Sequence, residues 1–152
     1  MTTAWRIVKS RFIESAFAGD GARIHGGRWN SPGVPVVYTA ENASLAILEV
    51  LVHEKNAANM DSWSLISVRL PTPHIRRIPL SKLPPEWKSP SSRDVLKSIG
   101  DEWIENMDSV ALRVPTVITP GEFNYLINPD HPAFADLTFG NPVPIEFDPR
   151  LL

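Results

Sequence analysis

Apolar positions along the chain come in short runs separated by polar, proline-bearing breaks, and only two stretches carry the wider spacing of a helix. Trp5 to Val8 reads as a short edge strand. Ser10 to Ala18 predicts a helical turn, ended by Gly19-Asp20-Gly21, and Ala22 to Gly33 reads as a glycine-rich polar loop. Val34 to Tyr38 is a compact β-rich run. Leu45 to His53 is the clearest helix, with Asn42 or Thr39 as its cap. Trp63 to Leu70 and His74 to Ile78 predict strands. A second helix is expected from about Ser92 to Met107, burying Val95, Ile99, Trp103 and Met107 as one stripe. Val110 to Val114 and Thr116 to Thr119 read as strand broken by Pro115. Asn124 to Asn128 and Ile145 to Phe147 complete the set. Few helices among many short strands predict an α+β fold with antiparallel sheet.

Composition narrows this picture. A length of 152 residues with 43% hydrophobic content fits one domain over residues 1–152, with a real core. Proline occurs 15 times, about double the usual ~5%, and mostly after residue 70, so that region is not expected to be mainly long helices. A net charge of −2 and a pI near 6.1 argue against nucleic-acid binding, and the Arg76-Arg77 pair reads as a solvated strand end. The absence of cysteine excludes thiolate metal sites and a cysteine nucleophile. The four histidines lack metal-ligand spacing, and no GxSxG elbow occurs. The amino-terminal segment lacks the pattern of a signal peptide, and no apolar run nears the ~20 residues of a membrane helix. A cytoplasmic protein is therefore expected, with no metal and no membrane association.

Three places depart from a plain globular pattern. In Gly26-Gly27-Arg28-Trp29-Asn30, paired glycines bare the backbone beside an arginine whose planar fork suits phosphate. The segment is either a tight turn with a surface arginine or a loop that approaches a ligand; Trp29 either stacks on a ring or fills the core. Glu49 sits within Leu45 to Val52, where its same-face neighbours Leu45, Ala46 and Val52 carry the carboxylate into an apolar setting. An unpaired charge is costly there, so Glu49 is either paired with a cation such as Arg28 or kept for function. Tyr38, at a strand end before that helix, can bury its ring and still present its hydroxyl. Distally, Thr116 follows Pro115 after Leu112-Arg113-Val114, ahead of the turn-forming Asn128-Pro129 and His131-Pro132.

Taken in order, Gly21-Ala22-Arg23, Gly26 to Asn30, Val37-Tyr38, Glu49 to His53, Arg113-Val114-Pro115 and Asn124 to Pro129 with His131 resemble the RES domain over nearly the whole chain. The resemblance implies a fold similar to the ADP-ribosyltransferase toxins, with short, mostly antiparallel strands in a split sheet core. It implies a growth-arresting toxin that degrades NAD⁺ as its substrate, without a cofactor, by hydrolysis or with phosphate as co-substrate. It implies a cognate Xre-type helix-turn-helix antitoxin as partner. It implies Arg28, Tyr38 and Glu49 as the catalytic trio, with Arg28, Trp29, Asn30, Tyr38 and Thr116 about the substrate. The family places a serine where this chain has Thr116, which keeps the hydroxyl and adds a methyl. Protein ADP-ribosylation through the same site is the rival enzymatic reading. A non-catalytic module, with Arg28 and Glu49 in a buried salt bridge, is the other.

Overall fold

A computed structural model describes residues 1–54 and 61–152. Eight strands are present among them: β1 (Thr2–Lys9), β2 (Val37–Ala40), β3 (Trp63–Leu70), β4 (Ile75–Arg77), β5 (Ala111–Pro115), β6 (Phe123–Ile127), β7 (Thr138–Phe139) and β8 (Val143–Ile145). They join one sheet in the order β4-β5-β6-β2-β1-β3-β7, with β8 also pairing β3. Every pairing is antiparallel except β4 with β5. Three α-helices among the described residues accompany the sheet: α1 (Asp20–His25), α2 (Ala43–His53) and α3 (Arg93–Glu105). The fold is α+β, as expected.

The sheet has two well-paired halves and a thin seam. β1 pairs with β3 along its full length, from Thr2 opposite Leu70 to Lys9 opposite Trp63, and β2 pairs with β6 throughout. Between the halves, β1 and β2 meet in register only at Trp5 opposite Ala40. Beyond that point the strands diverge, and the chain must satisfy backbone groups there by other means. The Arg6 side chain does so, donating from Nε to the Ala16 carbonyl (2.6 Å) and from Nη1 to the Tyr38 carbonyl (2.9 Å). β1 is thus interior rather than the edge expected for Trp5 to Val8: a period of two reports which face a residue takes, not which strands flank it.

Local signals were mostly sound at α2 and β3. Asn42 caps α2, accepting from the Leu45 amide at 2.7 Å, and Leu45 and Ala46 bury against Ile7, Ala40 and Trp63. Ser64, Ile66, Val68 and Leu70 alternate onto the buried face of β3. Elsewhere the chain differs. Gly19-Asp20-Gly21 begins a helix instead of ending one: Gly19, at φ 77°, is the residue before α1, and Asp20 lies in the first turn, where a carboxylate meets the positive end of the dipole. Thr116 to Thr119 lie outside any strand, because β5 stops at Pro115. α3 buries Leu96, Gly100, Trp103 and Ile104, while Val95 and Met107 are exposed. Arg76 and Arg77 are exposed at β4, with Arg76 paired to Asp108. No helix among the described residues is long and apolar enough to cross a membrane.

Candidate active site

A cleft of about 720 Å³ opens at the seam. Its walls come from β1, α1 and the loop after it, β2, α2, α3 and the segment after β5. Arg28, Trp29, Tyr38, Glu49 and Thr116 all line it; Asn30 does not. Its size lies within the range of small-molecule sites.

Glu49 reaches the cleft from the second half of α2, with its side chain 27% exposed. The residues around it are as apolar as the sequence implied, except that Val52 is exposed at the cleft mouth. Its carboxylate is held at both oxygens. Thr116 Oγ1 donates to Oε1 at 3.3 Å, and His53 Nε2, one turn on, lies 3.5 Å from Oε2. The same Thr116 oxygen accepts from the Ile118 amide at 3.1 Å, which fixes the hydroxyl's direction. Thr116 is itself buried. Hydrogen bonding to Glu49 raises the His53 pKa above its ordinary value, against burial and the more distant Arg28 charge.

Arg28 follows Gly27 on the opposing loop. No salt bridge joins it to Glu49; among the described residues, the ion-pair partner of Glu49 is His53. The buried salt bridge entertained for these two residues therefore does not form. Arg28 Nη1 is buried and finds no hydrogen-bond partner among the described residues. Burial lowers the Arg28 pKa and so does the charge of Arg93, while Glu49 acts in the other direction. Arg28 and Glu49 thus sense each other across a shared cavity without closing it.

Tyr38 anchors the floor. Its hydroxyl donates to Asn30 Oδ1 at 2.6 Å and accepts from the Trp29 amide at 3.1 Å. Burial, first of all, pushes the phenol well above its usual pKa. Asn30 is fully buried, and its Nδ2 donates to the carbonyls of Ala22, Ser31 and Val34. With both polar atoms of its side-chain amide engaged inside the protein, Asn30 shapes the loop and its amide has no group left for a substrate. Trp29 is 2% exposed, and its ring fills the core against Leu96 and Trp103 rather than standing free to stack. Gly27 is required by this network: a Cβ there would lie 2.6 Å from the Tyr38 hydroxyl.

The model of the RES domain matches residues 3–148. The chain belongs to the RES domain family. Among RES relatives, "Toxin Res" of Photorhabdus laumondii is 39% identical over 125 residues, which cover 82% of this chain and 80% of that protein. "Toxin Res" of Yersinia enterocolitica is 36% identical over 97% of both chains. The "Prs ADP-ribosylating toxin" of a Sphingobium species is 34% identical over 100% of this chain and 98% of its own length.

The sequence did not single out several residues that the RES cleft contains. Arg6, Arg93 and Lys97 line it, and Asp101 holds its loop by accepting from the Ser31 amide (2.9 Å) and hydroxyl (2.6 Å). His53 had a legible signal, since it stands four residues after Glu49 on one helix. Arg93 and Lys97 share that spacing with each other, but nothing local says which face of α3 meets the cleft.

Proposed function

We propose that the chain is a toxin that consumes NAD⁺ by breaking its nicotinamide–ribose bond. The observation that carries this reading is one cleft holding a tethered, half-buried carboxylate and an unpartnered buried guanidinium nitrogen. Breaking the C1′–N bond sends its electron pair to the nicotinamide ring, which leaves neutral, so no general acid is needed. Positive charge develops on the ribose, much as in glycoside hydrolysis. Glu49 accepts from the ribose hydroxyls and offsets that charge. Arg28 clamps the diphosphate through its fork. Water or phosphate then attacks C1′ and releases its proton to solvent, giving ADP-ribose or its 1″-phosphate. Tyr38 holds the loop that carries Arg28 and offers its ring as a wall. Thr116 does the work of the family's serine by orienting the carboxylate. The relatives named as toxins support growth arrest as the outcome, and an Xre-type antitoxin is the partner this reading requires.

A second reading has its own support, because the Sphingobium relative is named as ADP-ribosylating. In that reaction a side chain of a target protein attacks C1′ in place of water. Labelled NAD⁺ separates the two: free ADP-ribose or its phosphate marks the small-molecule reaction, and label on protein marks transfer. For either, Glu49→Gln removes the charge at nearly constant shape. It is expected to abolish NAD⁺ loss and toxicity while leaving the circular dichroism spectrum and Tm near wild type. A folded Gln variant with full activity would remove Glu49 from the chemistry.

A further inference from the structure

The charge of the cleft runs against that of the chain. The protein carries a net −2, yet among the described residues Arg6, Arg28, Arg93 and Lys97 line the cleft against only Glu49 and Glu54. Arg6 is occupied by two carbonyls, and Glu49 by His53 and Thr116. Arg28, Arg93 and Lys97 remain. None of the three has a carboxylate within 4.0 Å among the described residues, whose ion pairs are all formed elsewhere. Three cations gathered in one cavity against Glu54, with Glu49 already held by His53 and Thr116, leave an excess of positive charge that raises the free energy of the empty protein. An anionic ligand relieves that cost.

The gathering is built, not incidental. Arg93 and Lys97 are four residues apart on α3, and Gly100 and Asp101 continue the same stripe one turn further. Gly100 lies against the Trp29 carbonyl so closely that a Cβ would fall 1.7 Å from that oxygen. Asp101 grips Ser31 at both amide and hydroxyl. The stripe that clamps the Arg28 loop therefore carries the two cations on the same helix.

We infer that Arg93 and Lys97 join Arg28 in a subsite for phosphate groups, which restricts the cleft to substrates bearing a diphosphate. Resting on the reading above, this names two further binding residues for it. The same chemistry accommodates the diphosphate of a dinucleotide or a free phosphate acting as acceptor.

The test uses the whole chain and three probes, ADP, inorganic phosphate and adenosine, titrated by calorimetry against wild type and Arg93→Gln/Lys97→Gln. Glutamine keeps helix propensity, and both side chains are at least partly exposed, so the fold should persist. Loss of two charge-assisted contacts should weaken ADP about tenfold or more, leave adenosine unchanged and flatten the salt dependence of ADP binding. If free phosphate is the occupant, phosphate binding falls and ADP binding holds. Lys97→Glu should abolish the affected binding outright. ADP and phosphate binding equal to wild type in both variants, or an equal loss of adenosine binding, would overturn the subsite. Because binding is read without turnover, a protein that leaves NAD⁺ intact yet loses ADP binding on substitution keeps the subsite and discards the reaction. Where NAD⁺ is consumed, KM should rise with kcat little changed.

Discussion

At the scale of single residues, the carboxylate of Glu49 is governed by two neighbours with opposite consequences. Thr116 donates to it whatever the pH, whereas His53 ion-pairs with it only when protonated. Thr116→Val removes the donor and the acceptor of the Ile118 amide together, so kcat should fall about 10- to 100-fold, the scale of a hydrogen bond to a charged group. Thr116→Ser keeps both and should stay near wild type; a Val variant equal to the Ser variant in a steady-state assay would show that the hydroxyl has no bearing on the carboxylate. For His53 the raised pKa sets the sign. Its stabilising contribution is fully present below about 6.5, its ordinary value, and is lost as pH rises through the higher folded-state pKa. Over that same window the imidazole loses its charge and releases Glu49, so under the proposed reaction activity should climb where the small stabilisation fades. His53→Gln should remove this limb of the kcat/KM profile and lower Tm at pH 6 but not at pH 9. An unchanged profile would mean that the pair never competes with substrate. The imidazole is largely exposed, so solvent screening keeps the stability part small.

At the scale of elements, α3 serves as a brace for the Arg28 loop. Asp101→Asn keeps the shape but removes the charge, and the Ser31 hydroxyl must turn to accept from the new amide nitrogen, so both bonds to Ser31 lose their charge assistance. Loop order should loosen, with activity falling several-fold and stability by about 1 kcal/mol; faster amide exchange at Ser31 checks the cause, and unchanged exchange with reduced activity would point to electrostatics alone. Gly100→Ala is far harsher, because the colliding atom is backbone. It should leave little folded protein, seen as insoluble expression or a collapsed Tm, and a well-folded alanine variant would contradict the packing of α3 on Trp29. This brace also marks where the sequence stopped being legible. Asn42 and the Leu45 to Val52 run made α2 readable, since cap and spacing agree. In α3 the chosen stripe used steps of four, and each such step walks about 40° around a helix of 3.6 residues per turn. Val95 and Met107 therefore drift into solvent, while Leu96, Gly100, Trp103 and Ile104 keep the core face. A buried glycine carries no hydrophobic signal, so the position that fits α3 to Trp29 was invisible. Likewise Asn30 looked like a ligand-binding amide because sequence shows polarity, not which carbonyls surround it.

At the scale of the molecule, the cleft exists because the sheet is nearly cut in two. A fully paired β1 and β2 would close the space that Tyr38 and Glu49 face, and a complete separation would leave buried backbone groups without partners. Arg6 resolves this by crossing the seam to the Tyr38 carbonyl with one hydrogen bond and tying down the Ala16 carbonyl, in the segment after β1, with the other. Its cost is visible: burial lowers the guanidinium pKa to about 10, so the protein holds a partly desolvated cation with no ion-pair partner among the described residues. An apolar residue of similar volume would escape that cost, and buried ions can often be replaced without loss. Here the replacement also orphans the carbonyls of Ala16 and Tyr38, at about 1–3 kcal/mol each. The second effect should win because the carbonyls cannot move to water without opening the sheet. Arg6→Met is therefore expected to destabilise by about 2–4 kcal/mol, which for a chain of this length is a Tm drop of roughly 5–15 °C. Arg6→Lys, able to reach one carbonyl but not to fork, should fall between. Amide exchange should quicken first in β2 and at the Trp5–Ala40 contact, ahead of the fully paired β1 and β3. A Met variant as stable as wild type, with β2 equally protected, would mean that the seam is held by packing alone and that the arginine crossing it is dispensable to the architecture.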